Sequence, residues 1–222
     1  MTKAEKRERL SEFSLRLKER YPDAECALEY GGDPWRLLIM ARLSAQCTDA
    51  RVNEVSKELF CVFPDARSMA FGDITEIERI VRPCGLYRMK AANIRDASRE
   101  LIEIYGGVLP DTVEELTRLS GVGRKIANLI VGDVYGGEAI VCDTHLMRIC
   151  ARIGLYPEKL RDPVKIERIM RSLYDAKDGA ELCHRVVLFG RDLCRARAPG
   201  CCECPMRDIC LHYQKTNTGV GE

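Results

Sequence analysis

Apolar residues recur three or four positions apart along most of this chain, with charged residues between them. Leu10, Phe13, Leu17 and Tyr21 form the first such stripe, and Pro22 follows it. This spacing is typical of an amphipathic helix that buries one face. No stretch alternates apolar and polar residues in the manner of a strand, so the pattern predicts an all-α protein of roughly ten short helices.

Prolines, glycines and capping residues mark the ends of the later helices. Asp33 followed by Pro34 is a cap with proline at the first helical position, and Gly106-Gly107 closes a helix that begins near Tyr87. The other helices predicted from apolar stripes cover residues 52–62, 66–70, 74–81, a segment containing Leu116, 144–153, 163–174 and 180–193. No low-complexity linker or internal repeat marks a domain boundary.

Composition is that of a globular protein. The 222 residues are 46% apolar and 31% charged, and 35 basic residues nearly balance 34 acidic ones, for a net charge of +1. Nucleic-acid binding would therefore depend on local basic clusters. No segment has the apolar length of a membrane span or of a signal peptide, so we expect a cytoplasmic protein without a membrane partner.

The stretch 119–127 (Leu-Ser-Gly-Val-Gly-Arg-Lys-Ile-Ala) predicts a hairpin between two helices. Gly121 and Gly123 permit backbone angles that are closed to other residues and allow close approach of a ligand. Amides at the start of the next helix bind oxyanions such as a nucleic-acid phosphate, although a plain turn between packed helices explains the same glycines. Lys125 lies two residues into that helix, where the dipole favours the neutral amine, so both a nucleophile and a phosphate contact fit it.

Twelve cysteines are present, and four of them have a C-x6-C-x2-C-x5-C spacing: Cys194, Cys201, Cys204 and Cys210. The polar residues and prolines between them bury too little surface for a core, which indicates a bound metal centre in a reducing compartment. A [4Fe–4S] cluster, a structural zinc ion and unliganded thiols remain open on spacing alone. Cys202 is left over.

Read in order, these motifs resemble the endonuclease III family of helix-hairpin-helix DNA glycosylases. The likeness extends from about Asp33 to His212. Its signatures are 43–46 (Leu-Ser-Ala-Gln) with Thr48-Asp49, the hairpin 119–127 with its lysine, 141–145 (Val-Cys-Asp-Thr-His), and the four spaced cysteines.

The resemblance implies two helical lobes. A six-helix domain with the helix-hairpin-helix motif would cover 27–137, and an iron–sulfur cluster domain would be built from both chain ends, 1–26 and 138–222. The four spaced cysteines would hold a [4Fe–4S] cluster. A monovalent cation would bind at the hairpin in the complex with DNA.

The resemblance also implies a bifunctional DNA glycosylase and AP lyase of base excision repair. Lys125 would attack C1′ of an oxidised pyrimidine nucleoside and form a Schiff base, and Asp143 would assist departure of the base. Asp143 directly precedes Thr144 and is in addition a good helix cap. The partner would be double-stranded DNA with damaged bases or abasic sites, bound by a monomer that is nucleoid-associated in a bacterium.

A set of DNA contacts follows from the same likeness. Gln46 would enter the space left by an extruded base, and Leu86 would wedge the opposite strand. Phosphate contacts are expected from three hairpin amides and from two arginines between the first cluster cysteines: Gly121, Val122, Gly123, Arg195 and Arg197.

Some positions depart from the family pattern. Ser120 stands where proline is frequent, and Ala198 and Gly200 stand where positive charges are common. The lack of charge at Ala198 and Gly200 predicts weaker DNA binding by the loop between the first two cluster cysteines, or compensation by Arg191 or Arg207. Two other functions stay open, a monofunctional glycosylase of the mispair adenine type, whose members lack the lysine, and a non-catalytic DNA-binding module.

Overall fold

The structure is a computed structural model that describes residues 1–217, and those residues contain helices and no strands. The prediction of an all-α protein is confirmed. The α-helices in chain order are α1 Lys3–Arg20, α2 Pro34–Leu43, α3 Asp49–Val62, α4 Ala66–Ala70, α5 Ile74–Val81, α6 Tyr87–Tyr105, α7 Val113–Leu116, α8 Arg124–Asp133, α9 Thr144–Arg152, α10 Pro163–Leu173, α11 Gly179–Asp192 and α12 Leu211–Asn217. Short 3₁₀ turns cover Arg82–Cys84, Ala176–Asp178 and Cys201–Glu203. No helix of the described chain is long and apolar enough to cross a membrane.

Capping residues begin these helices where the sequence places them. Asp33 accepts hydrogen bonds from the amides of Trp35 and Arg36, with Pro34 as the first residue of α2. Gly106 ends α6 in a left-handed conformation, which glycine adopts at little cost. These two predicted helix ends are confirmed, and both are set by local backbone chemistry.

The chain forms two compact units. The central unit is Cys26–Gly136, and the terminal unit combines Met1–Glu25 with the chain from Gly137 onward. In the terminal unit, Phe13 of α1 packs edge-on against Phe189 of α11, with ring centroids 5.9 Å apart. This contact joins the two ends of the chain in one apolar core.

The central unit has a core of its own around α6. The buried face of α6 consists of Lys90, Ala91, Ile94, Ala97, Ser98 and Leu101, which recur at helical spacing. Helices α2, α4, α5 and the 3₁₀ turn at Arg82–Cys84 all contact α6. The long helix thus connects most elements of this unit.

Candidate DNA-binding and catalytic site

The hairpin between α7 and α8 requires glycine at only one of its two glycine positions. Gly121 has φ +73°, and a Cβ there would lie 2.5 Å from Nε of Arg42 and 2.8 Å from Cβ of Asn93. Gly123 has φ −91°, and a Cβ there would meet no atom within 4 Å. Both glycines permit special backbone angles, and the chain adopts one at Gly121 and not at Gly123. At Gly123 the missing side chain only leaves the backbone approachable.

The amide of Val122 does not fit its predicted phosphate contact. Its N–H donates to the carbonyl of Leu119 at 3.1 Å and so closes the turn. The Val122 side chain is 6% exposed and packs into the unit. The expected contact is corrected for this residue, since an amide engaged within the turn is not available to a ligand, while Gly121 and Gly123 stay candidates.

Lys125 is exposed in the first turn of α8. The cap of this helix is Gly123, and no side chain caps it. The first-turn amides of a helix have no intrahelical acceptor, and the helix dipole places positive potential there. The Lys125 side chain thus stands in solvent at a positively polarised helix end.

One side chain of α6 bonds to the hairpin, and another lies beneath it. Glu100 accepts from the amide of Ser120 at 2.6 Å and from its hydroxyl, also at 2.6 Å. Beneath Gly121, Oδ1 of Asn93 accepts from Nε and Nη2 of Arg42 at 3.0 and 2.6 Å. A proline at position 120 would have no N–H to donate. This chain therefore holds the turn by hydrogen bonds to Ser120 instead of by the pyrrolidine ring of a proline.

Gln46 and Leu86, predicted to act on the base stack, share an uncommon backbone conformation. Gln46 lies in the loop after α2 with φ 54°, and Leu86 immediately precedes α6 with φ 49°. Both side chains are exposed, Leu86 to 53%. A non-glycine residue in the left-handed region costs about 1–2 kcal/mol and persists only where its surroundings enforce it.

In the terminal unit, Asp143 is the cap of α9. Its Oδ1 accepts from the amide of Leu146 at 2.7 Å, and its side chain is half-buried. The expected capping role is confirmed. Lys125 belongs to the central unit and Asp143 to the terminal unit.

The four spaced cysteines line one cavity together with Arg152, Ile149 and Met206. Cys202 is exposed and is absent from this lining. No group of three or more cysteine, histidine or carboxylate side chains in the described residues converges closely enough to hold a single metal ion. A zinc site needs four donors at about 2.0–2.3 Å from one point, whereas a cubane cluster accepts thiolates spread around a larger body. Four thiols around one cavity are a donor set that an iron–sulfur cluster accepts.

Arginines from two helices hold the backbone of the cysteine segment. In α9, Arg152 donates to the carbonyls of Arg195 at 2.8 Å and Ala196 at 3.1 Å, and to Sγ of Cys194 at 3.3 Å. In α1, Arg16 donates to the carbonyl of Pro205 at 2.7 Å.

Further bonds of these helices complete the attachment. Arg16 also forms a two-pronged ion pair with Asp208, at 2.6 and 2.8 Å. Arg148 of α9 donates to the carbonyl of Cys194. The side chains of Arg195 and Arg197 remain exposed, as a phosphate contact requires.

Sequence reasoning missed the residues that position the site: Arg16, Arg42, Lys90, Asn93, Glu100, Arg148 and Arg152. Lys90 alone carried a signal, because it lies four residues before Ile94 and therefore on the apolar face of α6. It is fully buried, and burial lowers the pKa of its ammonium group. The other six residues have hydrogen-bond partners that are distant in the sequence.

Known proteins resemble this chain in sequence and in structure. The family described as HhH-GPD superfamily base excision DNA repair protein matches residues 39–176. Endonuclease III of Synechocystis is 41% identical over 212 residues, which cover 95% of this chain and 95% of that protein.

Two solved structures are also similar to this chain, each with a TM-score of 0.90 and 34% identity, covering 98% of this chain and 99% of the other. One is a non-covalent endonuclease III–DNA complex. The other is a trapped endonuclease III–DNA covalent intermediate with an estranged adenine.

Proposed function

Because this chain belongs to the endonuclease III family of base excision repair proteins and is a DNA glycosylase, we propose that it also has AP lyase activity and removes oxidised pyrimidines from double-stranded DNA. The exposed amine of Lys125 at the uncapped start of α8 is the observation that carries the proposal. A Schiff-base enzyme needs an accessible primary amine, and a neighbouring helix end attracts the phosphates of the strand under attack.

Lys125 starts the reaction. Its nitrogen forms a bond to C1′ as the glycosidic bond breaks, and the electron pair of that bond leaves with the base. The sugar ring then opens to a protonated imine. This imine acidifies C2′, and loss of the C2′ proton expels the 3′ phosphate by β-elimination. Water finally hydrolyses the imine and restores the amine.

The carboxylate of Asp143 stabilises positive charge that develops on the sugar as the base departs. Its hydrogen bond to the Leu146 amide fixes the side-chain rotamer, so capping and catalysis are compatible. In this assignment the helix start of α9 holds the carboxylate in place.

DNA contacts are assigned by resemblance. Gly121 and Gly123 would approach a phosphate through the backbone, with a monovalent cation at the hairpin in the complex. Exposed Arg195 and Arg197 would neutralise further phosphates. Gln46 and Leu86 would occupy the duplex where the damaged nucleotide leaves the stack, which base excision requires. Val122 is not among these contacts, because its amide closes the turn.

We further assign a [4Fe–4S] cluster to Cys194, Cys201, Cys204 and Cys210, supported by their shared cavity. When bound, the cluster supplies a covalent cross-link between distant parts of the segment, and the lyase chemistry requires no redox step. The central unit would then be the helix-hairpin-helix domain, and the terminal unit the cluster domain.

Borohydride trapping on a duplex with one thymine glycol tests the function. We expect a covalent adduct with the wild type and with Arg124→Gln, which removes a neighbouring exposed cation, and none with Lys125→Gln. Asp143→Asn preserves a good capping residue, so its stability should be retained while excision falls about 10²–10³-fold.

Two outcomes would contradict the proposal. Base release without an adduct on this duplex or on an abasic one would indicate a monofunctional glycosylase. Binding without base release or strand cleavage would indicate a non-catalytic module. An adduct that forms without Lys125 would overturn the assignment of the nucleophile.

A further inference from the structure

The two loops predicted to enter the duplex each contain a backbone conformation that requires support. The described chain has positive φ at three non-glycine residues, and two of them are Gln46 and Leu86. The loops come from different parts of the central unit, since one follows α2 and the other precedes α6. A contact that joins the two loops would support both conformations at once.

Lys90 makes that connection. Its Nζ donates to the carbonyl oxygen of Leu43 at 2.8 Å and to that of Cys84 at 2.7 Å, and both bonds are buried. Leu43 is the last residue of α2, three positions before Gln46, and Cys84 ends the 3₁₀ turn, two positions before Leu86. One ammonium group thus ties together the points where the two loops begin.

The chemistry of these two carbonyls explains why a lysine is present at a position without solvent. Carbonyls at the end of a helix lack intrahelical donors and carry the negative end of the helix dipole, so a cation that donates to them is favoured. An apolar residue would fill the same space with no burial penalty for a charge. It would not, however, hold the two carbonyls at a fixed separation.

Two thiols also lie near Lys90. The thiol of Cys84 is close to the thiol of Cys47, which directly follows Gln46. The charged and titratable groups around the lysine are these two thiols and the guanidinium of Arg42. None of these groups in the described chain is a carboxylate, and the ammonium donates to the two carbonyls instead.

We propose that Lys90 is a positioning residue that fixes the loop bearing Gln46 relative to the loop bearing Leu86, so that both side chains act on the duplex together. The inference rests on the proposed function. Lys90 touches no DNA in this assignment. It acts through the two loops, and its effect should appear only on substrates in which a nucleotide must leave an intact stack.

The test compares two substrates with each variant. The first is a duplex with one thymine glycol, and the second is a single strand with a preformed abasic site, which needs neither extrusion nor filling of a gap. For Lys90→Met we expect an excision rate about 10–100-fold lower on the duplex, and a cleavage rate within about threefold of wild type on the single strand. Ser98→Ala is the matched control, because Ser98 is equally buried on α6 and bonds to Trp35 instead of to either loop.

A double-mutant cycle separates positioning from general destabilisation. If Lys90 acts through the wedge, Lys90→Met should lower duplex excision by less than about twofold in a Leu86→Ala background. Three results would each overturn the inference. The first is an equal loss of rate on both substrates in Lys90→Met, and the second is full additivity of its effect with that of Leu86→Ala. The third is a loss in Ser98→Ala that is as selective for the duplex as that of Lys90→Met.

Two further results keep the test decisive. Should Lys90→Met not fold, Lys90→Gln, a neutral donor with a shorter reach, must show the same substrate selectivity for the inference to hold. If the wild type forms no adduct on either substrate, the proposed function itself fails. If the wild type cleaves both substrates and Lys90→Met retains the wild-type ratio of the two rates, only the inference about Lys90 fails.

Discussion

The central and terminal units hold their irregular segments by different means. In the central unit, three side chains of one helix, Lys90, Asn93 and Glu100, connect to two loops and to the hairpin region. In the terminal unit, arginines from two separate helices donate hydrogen bonds to the backbone of the cysteine segment, and the proposed cluster completes its attachment.

The two units differ in what makes their irregular segments rigid. A continuous helix is already rigid, so a residue on its buried face can place a loop without help from a cofactor. The segment from Cys194 to Cys210 contains only one short 3₁₀ turn and few buried side chains, so hydrogen bonds alone give it less stability. Perturbation of one unit should therefore leave the positioning contacts of the other intact.

Loss of a cluster ligand should have the largest effect. We expect Cys201→Ser to lose bound iron and more than about 4 kcal/mol of unfolding free energy in the terminal unit, since loss of a structural metal is among the severe changes. Colorimetric iron analysis, with limited proteolysis mapped by mass spectrometry, measures both. New cleavage sites should fall within 194–210 and not in the central unit.

The adjacent Cys202→Ser is the control for this change. Cys202 is exposed and does not line the cavity, so its variant should keep the iron and change stability by less than about 0.5 kcal/mol. Zinc in the wild type in place of iron, or equal iron loss in both variants, would contradict the assignment of the ligands.

Removal of the arginine contacts should have an intermediate effect. Arg152→Met loses bonds to the carbonyls of Arg195 and Ala196, and we expect about 2–3 kcal/mol of destabilisation and faster release of iron to a chelator. Arg152→Lys retains the charge but lacks the planar fork, so it should recover only part of the loss. Full recovery in Arg152→Lys would mean that charge alone holds this segment.

Release of the hairpin from α6 should have a smaller effect. Glu100→Ala removes both acceptors of Ser120, and we expect about 1–2 kcal/mol less local stability, seen as hydrogen exchange of the hairpin amides roughly ten times faster. Glu103→Ala removes an exposed carboxylate one turn away on the same helix and should leave that exchange unchanged. Unchanged exchange in Glu100→Ala would show that packing alone holds the turn.

A single phosphate contact should give the smallest effect. If Arg197 neutralises one phosphate, Arg197→Ala lowers the slope of log affinity against log salt by about 0.9. Arg168→Ala, an equal change of charge at an exposed position of α10, should not alter that slope. A slope as steep as that of a relative with a more basic loop would contradict the expected weakness of this one.

Local chemistry explains which features were predictable from the sequence. Caps such as Asp33 and Asp143, and the glycine after α6, act within a few residues, so a short window of sequence contains the whole interaction. The helix α12 was not predicted, because it is short and follows a cysteine segment without a clear apolar stripe.

Tertiary contacts explain the rest. Glu100 and Ser120 are 20 residues apart, and Lys90 and Leu43 are 47 apart, so neither pair has a sequence signature. The engaged amide of Val122 likewise depends on how the turn closes. Residues that position a site are harder to predict than residues that perform its chemistry, because their type is not dictated by a reaction.

The left-handed backbone at Gln46 and Leu86 shifts a cost from binding to folding. A loop that is flexible in the free protein must be ordered when DNA binds, at an expense of about 0.5–1.5 kcal/mol for each immobilised side chain and more for its backbone. Here both loops have a constrained backbone, and the points where they begin are bonded to Lys90 within the central unit itself. Preorganisation of this kind leaves more of the interaction with DNA available for turning a nucleotide out of the helix.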